Sequence, residues 1–187
     1  MSDEIINKSK FSLNEFFSRN KKSLITFVLT IILLVIALII TNEYKKQKYI
    51  ETSIKYNNAK ILIEKNKTME ALQILEEIIF KNNKFYSPSA LNLIIDNKLI
   101  QDKKKILSYF DEIISNSKLD TETKNLFIFK KIVFIGDDIK ENELLINLKP
   151  ILKSDSLWKD TILDYIKKYY LSKGEFIKAK EFDNVIN

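Results

Sequence analysis

The sequence predicts an all-α protein in which a single transmembrane helix is followed by a stack of paired helices. Three observations predict this fold: an uncharged segment of 20 residues, apolar residues at helical spacing through the rest of the chain, and a turn that recurs with a regular period. No alternating polar and apolar run, the pattern of a half-buried strand, follows the uncharged segment. The expected domain is a tetratricopeptide-like solenoid of about four helix pairs.

The uncharged segment runs from Ser23 to Asn42 and has paired lysines on each side. At about 1.5 Å per residue, a helix of this length spans roughly the 30 Å hydrocarbon layer of a bilayer. A soluble core helix is rarely apolar on every side over such a length, and the residues that follow offer no small-residue cleavage site for a signal peptidase. The segment is therefore predicted to be an uncleaved anchor that crosses the membrane once.

The anchor divides the chain into three predicted parts: a tail over 1–22, the anchor over 23–42 and a helical-repeat domain over 43–187. In the tail, Ser12 and Glu15 have the spacing of a capping box, and Phe11 and Phe16 that of a hydrophobic staple. A short amphipathic helix on the membrane surface is expected here. A plain extension of the spanning helix is the alternative.

Apolar spacing predicts eight helices, the first of which continues from the anchor to Lys65 without a break. The core faces of the others are expected within 68–81, 88–99, 106–114, 121–135, 140–149, 156–173 and 175–186. The helix over 121–135 is apolar around much of its circumference, which indicates an element covered on more than one side.

Specific residues are expected to start and end these helices. Ser87 is predicted to cap the third helix, with Pro88 at its first position, where the missing N–H costs nothing. Gly136 and Gly174 are expected to end the fifth and seventh helices in the left-handed conformation. Pro150 is expected to stop the sixth helix before it.

Four helix-to-helix turns recur at regular spacing, around Asn66, Asp102, Asp137 and Gly174. The intervals between them are 36, 35 and 37 residues. A period in the mid-thirties with two helices per unit is typical of tetratricopeptide-type solenoids. The clearest unit is the last, SKGEFIKAKEF, whose small and aromatic residues resemble the tetratricopeptide turn and second helix.

Small and hydroxyl side chains share one face of the anchor: Ser23, Thr26, Thr30 and Ala37. Such side chains let helix backbones approach closely, and this packing drives helix association in lipid. The face predicts a contact with another membrane helix. The alternative is that the hydroxyls only bond carbonyls of their own helix.

Aromatic residues share one face of the seventh predicted helix: Trp158, Tyr165 and Tyr169, with Ile162 between them. They are expected either to line an exposed peptide groove, which solenoids form on the concave side, or to be a seam of the core.

The composition disfavours an enzyme, a cofactor and a metal site. Cysteine and histidine are absent, which removes thiol chemistry, the usual zinc ligand and the usual general base. The two glycines are too few for a phosphate-binding loop. Three acid pairs, Glu76–Glu77, Asp111–Glu112 and Asp137–Asp138, are adjacent along the chain, whereas catalytic carboxylates face each other across a cleft. The net charge of +6 is interspersed with acidic residues, so neither nucleic acid nor a small-molecule substrate is expected.

The order of parts resembles that of the YfgM-like ancillary subunits of the bacterial SecYEG translocon. The resemblance rests on LNEFFSRNKKSL before the anchor, Tyr44 after it, NKFYSPSALNL at the second repeat and DSLWKDTILDYIKKYYLSKGEFIKAKEF near the end. It implies a single-pass inner-membrane protein without catalytic residues. It also implies protein partners: translocon subunits, a membrane-anchored periplasmic chaperone and newly exported, unfolded clients.

Charge does not orient the anchor, because five basic residues lie near it on each side. A cytoplasmic tail and a periplasmic domain are expected from the short tail and from the resemblance. Two alternatives stay open: a scaffold for another envelope complex, and an adaptor that faces the cytoplasm.

Overall fold

The computed structural model of the protein describes residues 21–182, most of which are helical. No strand occurs in this range, and the all-α prediction is confirmed. The α-helices are α1 (Lys21–Glu64), α2 (Thr68–Phe80), α3 (Tyr86–Asp96), α4 (Lys103–Ser115), α5 (Thr121–Ile135), α6 (Glu141–Leu152), α7 (Lys159–Ser172) and α8 (Phe176–Glu181), with a short 3-10 helix at Gly136–Asp138. The amphipathic helix predicted for the tail lies outside the described residues, as does the predicted end of the last helix.

Helix α1 continues from the predicted anchor into the following residues without interruption, as the sequence predicts. Of the helices between residues 21 and 182, it is the one that is long and apolar enough to cross a membrane, and none of its apolar stretch is buried. The chain divides into two compact units within this helix, between Ile50 and Glu51.

Buried apolar residues of the second unit form two clusters. The first cluster draws on α1 to α5 and includes Leu75, whereas the second draws on α5 to α8 and includes Leu148. Helix α5 belongs to both, because Phe127 is buried in the first cluster and Ile132 in the second. The expectation that this helix is covered on more than one side is therefore confirmed.

Polar contacts join three of the four predicted turns. The Lys103 ammonium lies 2.7 Å from the Asp138 carboxylate and donates to the Ile135 carbonyl at 3.0 Å. Lys173 donates to the Asp137 carbonyl at 3.4 Å. The partners are 32 to 36 residues apart along the chain, close to the period between the turns.

The start of the third helix differs from the prediction. Helix α3 begins at Tyr86, and the Asn83 side chain accepts hydrogen bonds from the amides of Phe85 and Tyr86, each at 2.9 Å. Ser87 is fully buried, and its hydroxyl donates to the Ile78 carbonyl at 2.7 Å. The capping role predicted for Ser87 was wrong. The Asn83 side chain accepts from the amides at the start of the helix, and the Ser87 hydroxyl bonds the Ile78 carbonyl of α2 instead.

Pro150 also does not stop the sixth helix. Helix α6 continues to Leu152, and both Ile151 and Leu152 are buried, at 3% and 8% exposure. Burying two apolar side chains offsets the cost of a proline inside a helix, about 3 kcal/mol from one lost backbone hydrogen bond and from the clash of the ring with the carbonyl four residues earlier. The lost bond is the one that an amide at position 150 would donate to the Ile146 carbonyl.

The remaining helix ends are close to the predictions. Gly136 and Gly174 have φ values of +68° and +75° and follow the last turns of α5 and α7. Gly136 differs from the prediction in its ψ of −141°, which lies outside the left-handed helical conformation, and it leads directly into the 3-10 helix. Helix α7 begins at Lys159, three residues after the predicted Ser156, because residues 156–158 form a separate turn.

Candidate interaction surfaces

The small-residue face predicted for the anchor lies on the exposed first part of α1, with Ser23, Thr26, Thr30 and Ala37 all exposed. The Thr26 hydroxyl donates to the Lys22 carbonyl at 3.0 Å, and the Thr30 hydroxyl to the Thr26 carbonyl at 2.9 Å. Both bonds are internal to the helix, so the hydroxyls are satisfied in lipid without a partner. Contact with another membrane helix stays a prediction for this face.

Tyr44 lies just past the apolar stretch. The Lys48 ammonium lies over its ring, 4.5 Å from the ring centroid. The ring is 57% exposed. Tyrosine and lysine are the side chains that membrane helices place at the boundary between lipid and water. This pair therefore fits the end of an anchor that begins near Ser23.

The three aromatic residues predicted to line a groove are partly buried against the second cluster. Trp158 donates its indole N–H to a carbonyl of α5 at 3.1 Å. Tyr165 packs edge-on against Phe129, with ring centroids 5.4 Å apart, and the Tyr169 hydroxyl donates to the Ile139 carbonyl at 3.3 Å. These contacts attach α7 to α5 and to the segment before α6. A groove role for the aromatic residues stays a prediction.

A buried polar network holds the start of α7 against α5. The Glu122 carboxylate accepts hydrogen bonds from the Ser156 hydroxyl and from the Leu157 amide, each at 2.9 Å. The Asn125 side chain donates to the Ser156 hydroxyl at 3.2 Å. Because Ser156 and Asn125 are almost completely buried, these bonds replace water that the groups no longer reach. Sequence reasoning missed Glu122, since no local pattern reveals a partner 34 residues away.

A first tyrosine–glutamate–lysine triad joins α2 to α4. The Tyr109 hydroxyl donates to the Glu76 carboxylate, and the Lys105 ammonium lies 2.6 Å from the same oxygen. Burial and the hydrogen bond to Glu76 raise the pKa of Tyr109 to about 12. Burial also raises the pKa of Glu76, but the hydrogen bonds from Lys105 and Tyr109 outweigh this effect, and the pKa is lowered overall. The triad is thus an ionised carboxylate held by two donors.

A second triad joins α6, α7 and α8. The Tyr170 hydroxyl donates to the Glu141 carboxylate at 2.9 Å, and the Lys178 ammonium contacts both of its oxygens, at 2.8 and 2.9 Å. Hydrogen bonds to Glu141 and Glu175 raise the pKa of Lys178. Burial, followed by the bond to Glu141, raises the pKa of Tyr170. Each core cluster therefore has one such triad at its edge.

The acid pairs seen in the sequence contact separate partners. Glu76 belongs to the first triad, whereas the adjacent Glu77 lies 2.7 Å from Lys55 and 3.1 Å from Lys81. Within residues 21–182, no group of three or more histidine, cysteine, aspartate or glutamate side chains could hold a metal ion. These carboxylates join helices by accepting hydrogen bonds from tyrosine side chains and forming ion pairs with lysine side chains.

No protein-family model, no curated protein and no solved structure matches the chain.

Proposed function

We propose that this protein is a non-enzymatic, membrane-anchored interaction protein that holds other proteins beside the membrane. The observation that carries the proposal is the continuity of α1, which runs from an exposed apolar stretch of membrane-spanning length to residues that pack in the first core cluster. Anchoring of this kind raises the effective concentration of a weak binder near its partners, to about the millimolar range for short tethers.

The helical domain is proposed to be a tetratricopeptide-like solenoid of about four pairs. Contacts one period apart support this arrangement, because Lys103 and Lys173 each reach the turn around Asp137. In a solenoid each unit contacts only its neighbours, and the stacked units present an extended surface to other proteins.

The proposed partners are subunits of the SecYEG translocon, a membrane-anchored periplasmic chaperone and newly exported clients near the exit site. Support comes from the resemblance to the YfgM-like ancillary subunits. The proposal places the tail in the cytoplasm and the helical domain in the periplasm, with one crossing of the inner membrane. The same architecture would also suit a scaffold of another envelope complex. The equal numbers of basic residues on the two sides of the anchor keep a cytoplasm-facing adaptor as a second candidate.

Photo-crosslinking in cells tests the partners. A photoreactive amino acid is placed at Phe85 or Ile177, which are 56% and 82% exposed. We expect crosslinks to translocon or chaperone subunits, identified by mass spectrometry. The same amino acid at Leu75, which is fully buried, is the matched control. Recovery of neither class of partner from the exposed positions would reject the translocon assignment.

Protease protection tests the orientation. In spheroplasts, an accessible helical domain would support the periplasmic assignment, and a protected one would favour the cytoplasmic adaptor.

Substitutions in the anchor test its small-residue face. Thr26→Leu together with Thr30→Leu should reduce co-purification of a membrane partner, because bulky side chains keep helix backbones apart. Val28→Leu with Val35→Leu, on the opposite side of the helix, is the control. Equal recovery with both double variants would exclude this face as a contact.

A further inference from the structure

A shallow, open depression, here called the groove, lies on the outer side of α6 and is lined by that helix together with Lys153, the residue after its end. Six residues line it: Asn142, Leu145, Ile146, Lys149, Pro150 and Lys153. The opposite side of the same helix is buried in the second cluster through Leu144 and Leu148. The groove therefore lies on the face that α6 does not use for folding.

The floor of the groove is apolar. Ile146 is 64% exposed, Leu145 beside it is partly buried, and the Pro150 ring is exposed. Covering such side chains removes apolar area from water, which is the general driving force for protein contacts.

Pro150 also leaves a backbone acceptor of α6 without its usual donor. Proline has no N–H, so the Ile146 carbonyl lacks the amide that would bond it four residues later in an ordinary helix. A carbonyl has strong hydrogen-bonding capacity and requires a donor when water is excluded. A peptide segment that covers Ile146 would have to bring one.

Two lysines give the groove its charge. Lys149 and Lys153 are exposed, one helical turn apart, and neither forms an ion pair with another residue of the range 21–182. Lys149 acts on Glu141 only as a nearby charge. In this they differ from Lys178, which contacts two carboxylates. The charge of the groove is thus left for an outside carboxylate.

We propose that this groove binds a short, extended acidic segment of another polypeptide. Apolar side chains of the segment cover Leu145 and Ile146, one of its amides donates to the Ile146 carbonyl, and the carboxylate at one end lies between Lys149 and Lys153, which are about 6 Å apart along the helix. An extended chain suits the site because its amides are free, whereas those inside a helix are already bonded. The distance along the helix from Asn142 to Lys153 is about 16 Å, which corresponds to about five extended residues.

This inference rests on the proposed function and adds to it the chemistry of the bound segment. The probes are two fluorescein-labelled peptides, DLLLD and KLLLK, which are added to the full chain in lipid nanodiscs. Fluorescence anisotropy measures their binding, with empty nanodiscs subtracted. We expect DLLLD to bind more tightly than KLLLK.

Reversal of the two groove charges provides the main test. Lys149→Glu with Lys153→Glu should weaken binding of DLLLD by about fivefold, the size expected for two exposed ion pairs, and should strengthen binding of KLLLK. Lys60→Glu with Lys65→Glu makes the same charge change at the end of α1 and in the turn that follows, and should preserve the preference for DLLLD. Equal effects of the two double variants would show that overall charge, rather than the groove, selects the peptide, and would overturn the proposal.

The proline substitution tests the backbone acceptor separately. Pro150→Ala restores the amide that bonds the Ile146 carbonyl, so both peptides should bind about two- to fivefold more weakly. Since alanine favours the helix, this loss would not come from unfolding, and circular dichroism should show undiminished helix content. Unchanged peptide binding in this variant would exclude the carbonyl as an acceptor and overturn the proposed binding mode.

A photoreactive amino acid at Ile146 identifies the occupant. Crosslinks to added DLLLD support the proposal. Crosslinks to a second copy, or to residues 183–187 of the same chain, overturn it. Failure of these peptide tests, together with crosslinks to translocon or chaperone subunits from Phe85 or Ile177, would reject the groove and leave the proposed function standing.

Discussion

Glu122 belongs to α5 and accepts hydrogen bonds from the Ser156 hydroxyl and the Leu157 amide. Both donors lie in the turn before α7, whose own first amides have no side-chain cap. The acceptor lies 34 residues before Ser156 in the chain. The contact therefore attaches the turn that leads into α7 to α5.

The Glu122 carboxylate should be needed for stability. Glu122→Ala leaves the Ser156 hydroxyl and the Leu157 amide without an acceptor, so the free energy of unfolding should fall by about 1–3 kcal/mol. Glu122→Gln retains one acceptor oxygen, so its free energy of unfolding should fall by less. Urea denaturation of the full chain in detergent measures the change. Glu143→Ala, an exposed glutamate on α6, should change the free energy of unfolding by less than about 0.5 kcal/mol. A similar loss in both alanine variants would contradict a stabilising role of the Glu122 hydrogen bonds.

Tyr109 should make the protein sensitive to alkaline pH. Its pKa is raised from 10.0 to about 12, first by burial and then by the hydrogen bond to Glu76. The folded state therefore favours the protonated hydroxyl, and the stabilising contribution is complete below pH 10.0 and is lost as the pH rises through about 12. Tyr109→Phe should remove this part of the alkaline decrease in melting temperature.

A tyrosine outside the helical domain is the control for that measurement. Tyr44→Phe should show the full alkaline decrease of the unchanged protein, because Tyr44 is exposed and lies before the core clusters. Superimposable pH profiles for Tyr109→Phe and the unchanged protein would exclude a contribution of the first triad.

At the scale of single helices, three ends share one geometry. In each, a residue at positive φ follows the last turn, and the next amide bonds a carbonyl five residues earlier: Lys67 to Leu62, Leu99 to Ile94, and Glu175 to Tyr170. This is the Schellman arrangement, which favours glycine because other residues are strained at positive φ. The residues at the strained position are Asn66, Lys98 and Gly174.

Lys98→Gly should therefore stabilise the protein. The lysine has φ of +51°, and glycine relieves a strain of about 1 kcal/mol, in part offset by the entropy that it adds to the unfolded chain. We expect a gain of a few tenths to about 1 kcal/mol in urea denaturation. The same substitution at Lys173, where φ is −87°, should destabilise by about 0.5–1 kcal/mol. If both substitutions changed the free energy of unfolding in the same direction, backbone strain would not be the cause of the effect.

Helix boundaries also show the limit of local signals. A proline is expected to end a helix because it removes a backbone hydrogen bond. Helix α6 nevertheless continues past Pro150, since the two residues after it are buried. A serine before a proline predicts a cap, but Ser87 bonds a carbonyl of α2 instead. Both errors arise where a tertiary contact competes with a local preference.

For the whole helical domain, the two core clusters meet in α5. Phe127 and Ile132 on this helix are buried in different clusters, and most helices pack against their neighbours in the chain. In the proposed solenoid, stability comes from each unit and from each interface between neighbouring units, so that parts can open separately.

Substitutions that create a cavity in one core cluster should therefore destabilise mainly the helices of that cluster. Leu75 and Leu148 are both fully buried, and alanine at either position should cost about 2–5 kcal/mol. Hydrogen exchange measured by mass spectrometry should rise mainly in α6–α8 for Leu148→Ala and mainly in α2–α4 for Leu75→Ala. A uniform rise across both regions in either variant would show that the domain opens as one cooperative unit.

The sequence by itself determined the helical class, the order and approximate limits of the helices, and the apolar stretch suited to a membrane. These properties depend on apolar spacing and on local helix-ending residues such as Gly136 and Gly174, which can be read along the chain. Only the tertiary structure decided which donors meet Glu76, Glu122 and Glu141, and that α6 continues past Pro150 with an exposed groove beside it. The physical reason is that those contacts join residues about 30 to 37 positions apart, and no nearest-neighbour pattern specifies which polar groups will meet across a packed interface.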